Sequence, residues 1–362
     1  MKVWGIVSVA ACLAATCLIV AGPAEGLSPP VPEKATYYFS NGGRIVSVKA
    51  DGSDFRVITG KGEGPDPLYG DFAPAVSPDG TMLAFVRMSE TTDHQVVSRI
   101  VVTGPDGNGP ETSPVHPAPP ADGTEIWLSG PSWSPDSSRI FYTKRREGFW
   151  QTTAEVDSVR PDGTDRETLI DQVVKVNVFS DNSPNYLTID SVDVSPDGKS
   201  LLVSQSGYWW LYGGSGRVDI FNLASKKSRL VSRNAYGGTW SPDGSKILFG
   251  SQRNRIKSFC NEGRCGYYSK AFIMNRDGGG VRKLVPGRGR FDEGVGSWAP
   301  DGSTIIFGSD RLRRKDRYRF QLYSIRPDGS CLTQLTSRNL ESLPGTWVPD
   351  SGDDFSARDC GA

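Results

Sequence analysis

Histidine is almost absent from this chain of 362 residues, with only His94 and His116 present. Both stand in polar stretches that read as loops, so surface positions are expected for them. A serine hydrolase of the triad kind needs a histidine and a Gly-x-Ser-x-Gly elbow, and no such elbow occurs. A glycine-rich phosphate loop is also missing, because the run Asp277-Gly-Gly-Gly280 joins two strands rather than a strand to a helix. Net charge is lacking too. The 41 basic and 41 acidic residues cancel, so no bulk field favours nucleic acid, and no specific nucleic-acid partner is expected. Beyond the first twenty residues there is no long apolar run, which leaves no transmembrane span in the mature chain.

The N-terminus reads as an export signal. Lys2 supplies the positive start, Val3 to Val20 is apolar or small almost throughout, and Ala21, Gly22 and Ala24 close the segment. Cleavage after Ala24 or Gly26 fits this pattern, giving a signal over 1–26 and a short linker over 27–35. An uncleaved anchor is the alternative. A lipoprotein reading is disfavoured: Val9-Ala10-Ala11-Cys12 has too little apolar sequence before it, and Cys17 follows Thr16. The expected location is outside the cytoplasm, in the periplasm, the cell envelope or the medium.

Cysteine is scarce as well. Two of the six fall inside the signal, leaving Cys260, Cys265, Cys331 and Cys360. An even set in an exported chain points to disulfides, and four cysteines allow three pairings. Cys260 with Cys265 would pin a short loop, and Cys331 with Cys360 would tie down the tail over 352–362. A zinc site is disfavoured, because it needs tight Cys or His pairs.

Glycine and proline are abundant, at 42 and 25, and they fall in a repeat. One motif occurs six times: Val76-Ser-Pro-Asp-Gly80, Trp133-Ser-Pro-Asp-Ser137, Val194-Ser-Pro-Asp-Gly198, Trp240-Ser-Pro-Asp-Gly244, Trp298-Ala-Pro-Asp-Gly302 and Trp347-Val-Pro-Asp-Ser351. Short apolar strands such as Ile247-Leu-Phe249 and Ile305-Ile-Phe307 follow. Asp-Gly turns alternate with these, as at Asp51-Gly52, Asp106-Gly107, Asp162-Gly163, Asp277-Gly278 and Asp328-Gly329. Proline pre-sets the first corner of a tight turn, aspartate bonds its own backbone, and glycine takes the left-handed position. Each unit is therefore two hairpins, with strands A to D, and such a unit repeated radially is a propeller blade. The last motif supplies only a strand A, while Thr36–Ser40 resembles a strand B. One blade is thus composite, and the expected fold is an all-β, six-bladed propeller over 36–351, closed by its own two ends.

At these residues the chain resembles the propeller of TolB, with WD40-like repeats. The stretch Leu322-Tyr-Ser-Ile-Arg-Pro-Asp-Gly-Ser330, with Leu335-Thr336 and Trp347, carries the family pattern, and the match spans about 36–350. The resemblance implies a free-standing propeller without the N-terminal α/β domain of TolB, and binding as its work. The same kind of propeller covers the active site in prolyl-oligopeptidase-type peptidases. Sialidase-type turns run in the opposite order, so that family is disfavoured.

In such blades the A–B and C–D turns emerge on one face. The longer B–C loops and D-to-A connections emerge on the other. Function tends to sit on variable loops held by a rigid scaffold. Three patches map to that loop-rich face. The basic patch comprises Arg253, Arg255, Lys257 and Arg264 from one blade with Arg311, Arg313, Arg314, Lys315, Arg317 and Arg319 from the next, and would take an anionic polymer or a protein partner. The aromatic patch is Tyr208, Trp209 and Trp210, which would stack on sugars or anchor a peptide. The acidic patch, Asp71, Asp190 and Asp292 with Asp193 and Glu293 beside them, would suit Ca²⁺ if its carboxylates converge at the channel mouth. The leading expectation is a non-catalytic binding module, monomeric and without a cofactor. A Ca-dependent hydrolase or lactonase and a structural envelope component are the alternatives.

Overall fold

The computed structural model describes residues 35–49, 54–60, 69–92, 94–120, 122, 124–147, 151–175, 187–207, 216–261, 264–311, 320–336 and 342–349. Six antiparallel sheets follow one another along the chain, each the sheet of one blade. Blade 1 holds Gly70–Val76, Leu83–Glu90, Val96–Thr103 and Thr112–Val115. Blade 3 holds Leu187–Val194, Ser200–Gly207, Gly216–Asn222 and Lys227–Arg233. Blade 4 is Tyr236–Trp240, Lys246–Ser251, Lys270–Asn275 and Arg282–Lys283, and blade 5 is Ser297–Trp298, Ile305–Ser309, Gln321–Ile325 and Thr333–Gln334.

Blade 6 is the composite. Ser342–Pro349 pairs antiparallel with Ala35–Asn41, with Tyr37 opposite Trp347 and Thr36 opposite Val348. Arg44–Lys49 and Arg56–Val57 complete that sheet. Apolar packing grips the joint on both flanks. Tyr37, Phe39 and Val46 pack with Ala299, Ile306 and Leu322 of blade 5. On the other side Tyr38 and Ile45 pack with Val76, Leu83, Phe85 and Val101 of blade 1. Tyr37, Phe39 and Phe85 are fully buried, each contributing roughly 2–3 kcal/mol of transfer free energy.

The Ser-Pro-Asp-Gly repeat acts as the turn its residues dictate. In blade 1 the Ser77 hydroxyl donates to Asp79 Oδ1 at 2.6 Å, the Gly80 N–H donates to Ser77 O at 2.8 Å, and Gly80 sits at φ +72°. Blade 2 lacks the glycine. Ser137 takes φ +59° in its place, and its hydroxyl accepts the Asp79 N–H of the preceding blade at 3.1 Å. A serine thus bears a left-handed conformation and ties two blades together. The tryptophans that precede the turns are buried between blades, at 7, 5 and 9% exposure for Trp133, Trp240 and Trp298. Trp133 Nε1 donates to Ala75 O of blade 1 at 2.9 Å.

Two segments expected as loops carry strands. Blade 2 is Ser132–Trp133, Ile140–Glu147, Gln151–Val159 and Glu167–Lys175, and Glu125–Leu128 adds a fifth strand. Its first strand is short, so Glu125–Leu128 pairs the outer half of Ile140–Glu147. Pro131, which has no N–H to give a ladder, separates the two pieces. In blade 4 the connection before Lys270 folds into a hairpin, Lys257–Asn261 with Arg264–Tyr267, whose register sets Cys260 opposite Cys265. Cys331 is disulfide-bonded, while Cys360 lies outside the described residues.

Candidate functional site

Blades 4 and 5 share a pentad, Phe249-Gly-Ser-Gln-Arg253 and Phe307-Gly-Ser-Asp-Arg311, where strand B ends on the loop-rich face. Each arginine folds back over its own strand. Arg253 lies 4.9 Å from the Phe249 ring centroid and 5.2 Å from that of Phe272, and its Nε donates to Ser251 Oγ at 3.0 Å. Arg311 lies 4.5 Å from Tyr323, 4.8 Å from Phe291 and 5.4 Å from Phe307, with Nε donating to Ser309 Oγ at 3.3 Å. Burial pulls both guanidinium pKa values down. These two residues, expected in an exposed basic patch, are half-buried latches instead. A guanidinium ion is weakly hydrated and stacks on aromatic faces, which lets it take this role.

Beneath them lies a buried ionic cluster. Lys270, at the start of the third strand of blade 4, and Glu293, in the connection to blade 5, are both fully buried. Glu293 Oε1 stands 3.6 Å from Lys270 Nζ and 3.6 Å from the Arg311 guanidinium. Glu293 Oε2 accepts the Ala271 N–H at 3.1 Å. Burial pushes the Lys270 ammonium down to about 8, against the opposing pull of Glu293. Burial likewise raises Glu293, with Lys270, the Ala271 N–H and Arg311 among the groups that hold it down. Asp292 caps the same seam, accepting the Ser269 N–H at 2.7 Å while its own N–H donates to Asp310 Oδ1 at 2.6 Å.

Among the described residues the exposed charge above the cluster has one sign. Arg233, Arg255, Lys257, Arg288 and Arg290 are exposed, and none has an ion-pair partner among the described residues. The described acids of the same connections, Asp292, Glu293 and Asp310, are half-buried or buried, while Glu262 and Asp316 lie outside the described residues. Of these exposed cations, Arg255 and Lys257 belonged to the expected basic patch. Arg288 and Arg290 lie in a D-to-A connection, and the signal that marks them is the run Gly287-Arg-Gly-Arg-Phe291. Arg233 ends the outer strand of blade 3, and its carbonyl accepts from Arg253 at 3.3 Å, which seats it beside the patch. Arg313, Arg314, Lys315, Arg317 and Arg319 lie outside the described residues, as do Tyr208, Trp209 and Trp210.

The expected carboxylate convergence is not found. Asp71 is fully buried in a bidentate pair with Arg87, at 2.6 and 3.0 Å, and Arg87 in turn grips Glu111 at 2.7 and 3.1 Å. That double pairing raises the Arg87 pKa. Asp190 is pushed up by burial, against hydrogen bonds from the Ser206 and Ser204 hydroxyls. Asp292 is committed to the seam of blades 4 and 5. Among the described residues no three His, Cys, Asp or Glu side chains gather closely enough to hold a metal ion. Each carboxylate has been drawn to a nearby donor of its own blade or seam, which pulls the set apart. Asp193 stitches three first strands together, accepting the Trp240 N–H at 2.8 Å and the Ser132 hydroxyl at 3.1 Å. Burial raises its carboxyl to about 6.

The opposite face, that of the tight turns, carries a cleft of about 600 Å³ between blades 4 and 5, lined in part by Pro242, Lys246, Arg282, Trp298, Pro300 and Pro327. Its cations are engaged locally. Lys246 Nζ donates to Asn275 Oδ1 at 2.6 Å, and Arg282 donates to Pro327 O.

No family model matches the chain, and no curated protein matches it. Solved structures do. A chain in a nidogen/laminin complex aligns with 86% of this chain and 93% of its own, at TM-score 0.55 and 12% identity. A puromycin hydrolase aligns with 86% of this chain at TM-score 0.50 and 14% identity, and this chain spans about half of that enzyme, 47% of its length. An oligogalacturonate lyase in complex with manganese aligns with 86% of this chain and 72% of its own, at TM-score 0.45 and 16% identity. At such identities the likeness to the first two is one of fold alone, and the six sheets described above make the chain a six-bladed β-propeller.

Proposed function

We propose that this chain is a binding module that takes an anionic partner on the loop-rich face of blades 4 and 5. One observation carries the reading: burial sorts the charges of this face. A chain with no net charge keeps the described acids of this face, Asp292, Glu293 and Asp310, inside the seam and leaves unpaired cations outside. Unpaired exposed charge of one sign raises the local concentration of an opposite partner and steers its approach. The latched Arg253 and Arg311 hold the loops that present it. The export-like N-terminus and the TolB-like repeat support placing this work outside the cytoplasm, in the manner of envelope propellers.

The test is binding of the purified protein to an immobilised polyanion across a salt series. The unmodified protein is expected to bind, with affinity falling steeply as salt rises. Arg255→Glu, Arg288→Glu and Arg290→Glu together should abolish binding and leave the melting temperature unchanged, because none of the three makes an ion pair to lose. Binding that survives the triple reversal would remove the proposal.

A second reading is an enzyme, a hydrolase or a lyase. The observation on its side is Lys270, an amine held near pH 8, a range suited to a general base. Its Nζ donates to Phe291 O and is fully enclosed, so the enzyme reading requires the seam to open. Chemical labelling of lysines at pH 8.5 checks this. Modification of Lys270 in the folded protein favours the enzyme, and protection favours the structural role.

A further inference from the structure

We infer that the partner is a linear acidic polymer, laid along an arc from the outer end of blade 3 across blade 4 to the connection into blade 5. This rests on the reading of that face as an anion-binding one. It adds the shape and class of the occupant.

The arc follows from how the exposed cations are mounted. Arg233 closes the outer strand of blade 3, and Arg253 reaches across to its carbonyl and to Ser232 Oγ. Two residues further along the same connection comes Arg255, at φ +46°, its N–H donating to Gln252 O at 2.9 Å. Lys257 begins the hairpin of blade 4. The base of that hairpin is bound to the next connection, where the Glu293 N–H donates to Ser269 O at 3.0 Å. Arg288 and Arg290 stand on this connection. The cations thus succeed one another around the ring, over two blade boundaries, rather than crowding about one point.

The far end of the arc is built rather than loose. A Cβ on Gly289 would lie 1.8 Å from the Phe291 ring, so only glycine lets the ring fold under the loop. The tucked ring is flanked by two cations, with Lys270 Nζ 3.7 Å and Arg311 Cζ 4.8 Å from its centroid. Its carbonyl accepts from Lys270 Nζ. Arg288 and Arg290, on either side of that glycine, are therefore carried by a loop pinned from below. A row of unpaired guanidinium groups on pinned supports matches repeated oxyanions along a chain, each taken by a planar fork. A compact ligand would meet only one or two of them.

Chain length is the variable that tests this. Polyphosphate and sulfated oligosaccharides, each in a series of defined lengths, are titrated into the whole protein at fixed salt. Polyglutamate serves as the carboxylate control. Affinity should rise with length until the ligand spans the arc and then level off. Arg233→Gln at one end and Arg290→Gln at the other should each cost roughly tenfold with long chains, and their effects should multiply. With the shortest ligands the two changes should not combine. Whichever series binds more tightly identifies the oxyanion as phosphate or sulfate, and tightest binding to polyglutamate identifies it as carboxylate. Affinity independent of length, or capture of a folded acidic protein in preference to every polymer, would overturn the linear occupant and leave the anion-binding face standing. Failure to bind any polyanion would remove both.

Discussion

Aspartates of the tight turns and acids of the first strands and blade seams are treated in opposite ways. On the turn face each described repeat aspartate is exposed and served by its immediate neighbours. Asp136 is held at about 2 by the Ser134 hydroxyl, then by the hydroxyl and N–H of Ser138. Asp79, Asp197 and Asp243 are lowered by the equivalent serine and the N–H two residues on. Along the first strands and in the seam of blades 4 and 5 the acids are drawn inside, and burial drives Asp190, Asp193 and Glu293 upward. The first group stabilises a bend within five residues. In the second, Asp193 and Glu293 hold neighbouring blades to each other. The same functional group is local punctuation in the turns and a long-range tie in the seams.

The largest effect should come from breaking a tie. Lys270→Met leaves Glu293 buried with Arg311, at 3.6 Å, as its remaining ion-pair partner. Removing one partner of a buried pair typically costs about 3–5 kcal/mol, to be measured as a shift in the urea midpoint. Replacing both members, Lys270→Met with Glu293→Leu, should recover most of that loss, because no uncompensated charge remains. A double variant as unstable as the single one would mean that the pair contributes more than mutual neutralisation. The next contrast is between two arginines two residues apart. Arg253→Ala gives up two ring contacts and bonds to Ser251 and Ser232, and should cost about 1–2 kcal/mol. Arg255→Ala should stay within about 0.5 kcal/mol while weakening polyanion binding.

This contrast also explains what could be read from the sequence. Ser241-Pro-Asp-Gly244 contains every donor and acceptor its turn requires, so six copies of such a motif disclose the blades and their number. The closure of blade 6 was legible for the same reason, since Tyr37 could be matched to strand B residues such as Leu248 by local pattern alone. The site was not legible in that way. Whether Arg253 is free or latched depends on Phe272, nineteen positions away in sequence and adjacent only once the blade has formed. Glu293 and Lys270 are joined by a seam that no short-range signal announces. Asp71 and Asp292 looked alike as carboxylates before a first strand, yet one is claimed by Arg87 and the other by a backbone N–H.

A turn aspartate should cost less than a tie. Asp243→Ala removes bonds to the Ser241 hydroxyl at 2.5 Å and to the Ser245 N–H at 3.0 Å. The Ser241 hydroxyl can turn to Lys246 O, 3.2 Å away, and the N–H of the exposed Ser245 to water, so a loss of about 1 kcal/mol is expected. The contribution of such an aspartate has a defined pH window. Its folded pKa lies below the unfolded value, so the stabilisation is complete above about pH 4 and is lost as pH falls through the folded value.

Asp193 reverses that window and sets the sharpest test of the comparison. Its folded value, about 6, lies above the unfolded carboxylate value of about 3.9. The folded state therefore holds an extra proton between those limits. This stabilisation is complete below about pH 4 and is lost as pH rises through 6. Asp193→Asn keeps an acceptor for the Trp240 N–H and can donate to Ser132 Oγ, so the stitch between first strands should survive. The melting temperature of the unmodified protein, minus that of the variant, should fall between pH 4 and pH 6 and be flat above 7. The turn aspartates are common to both proteins and cancel in the difference. A difference that rises over the same interval would show Asp193 to be stabilised as an anion, like the exposed aspartates of the turns.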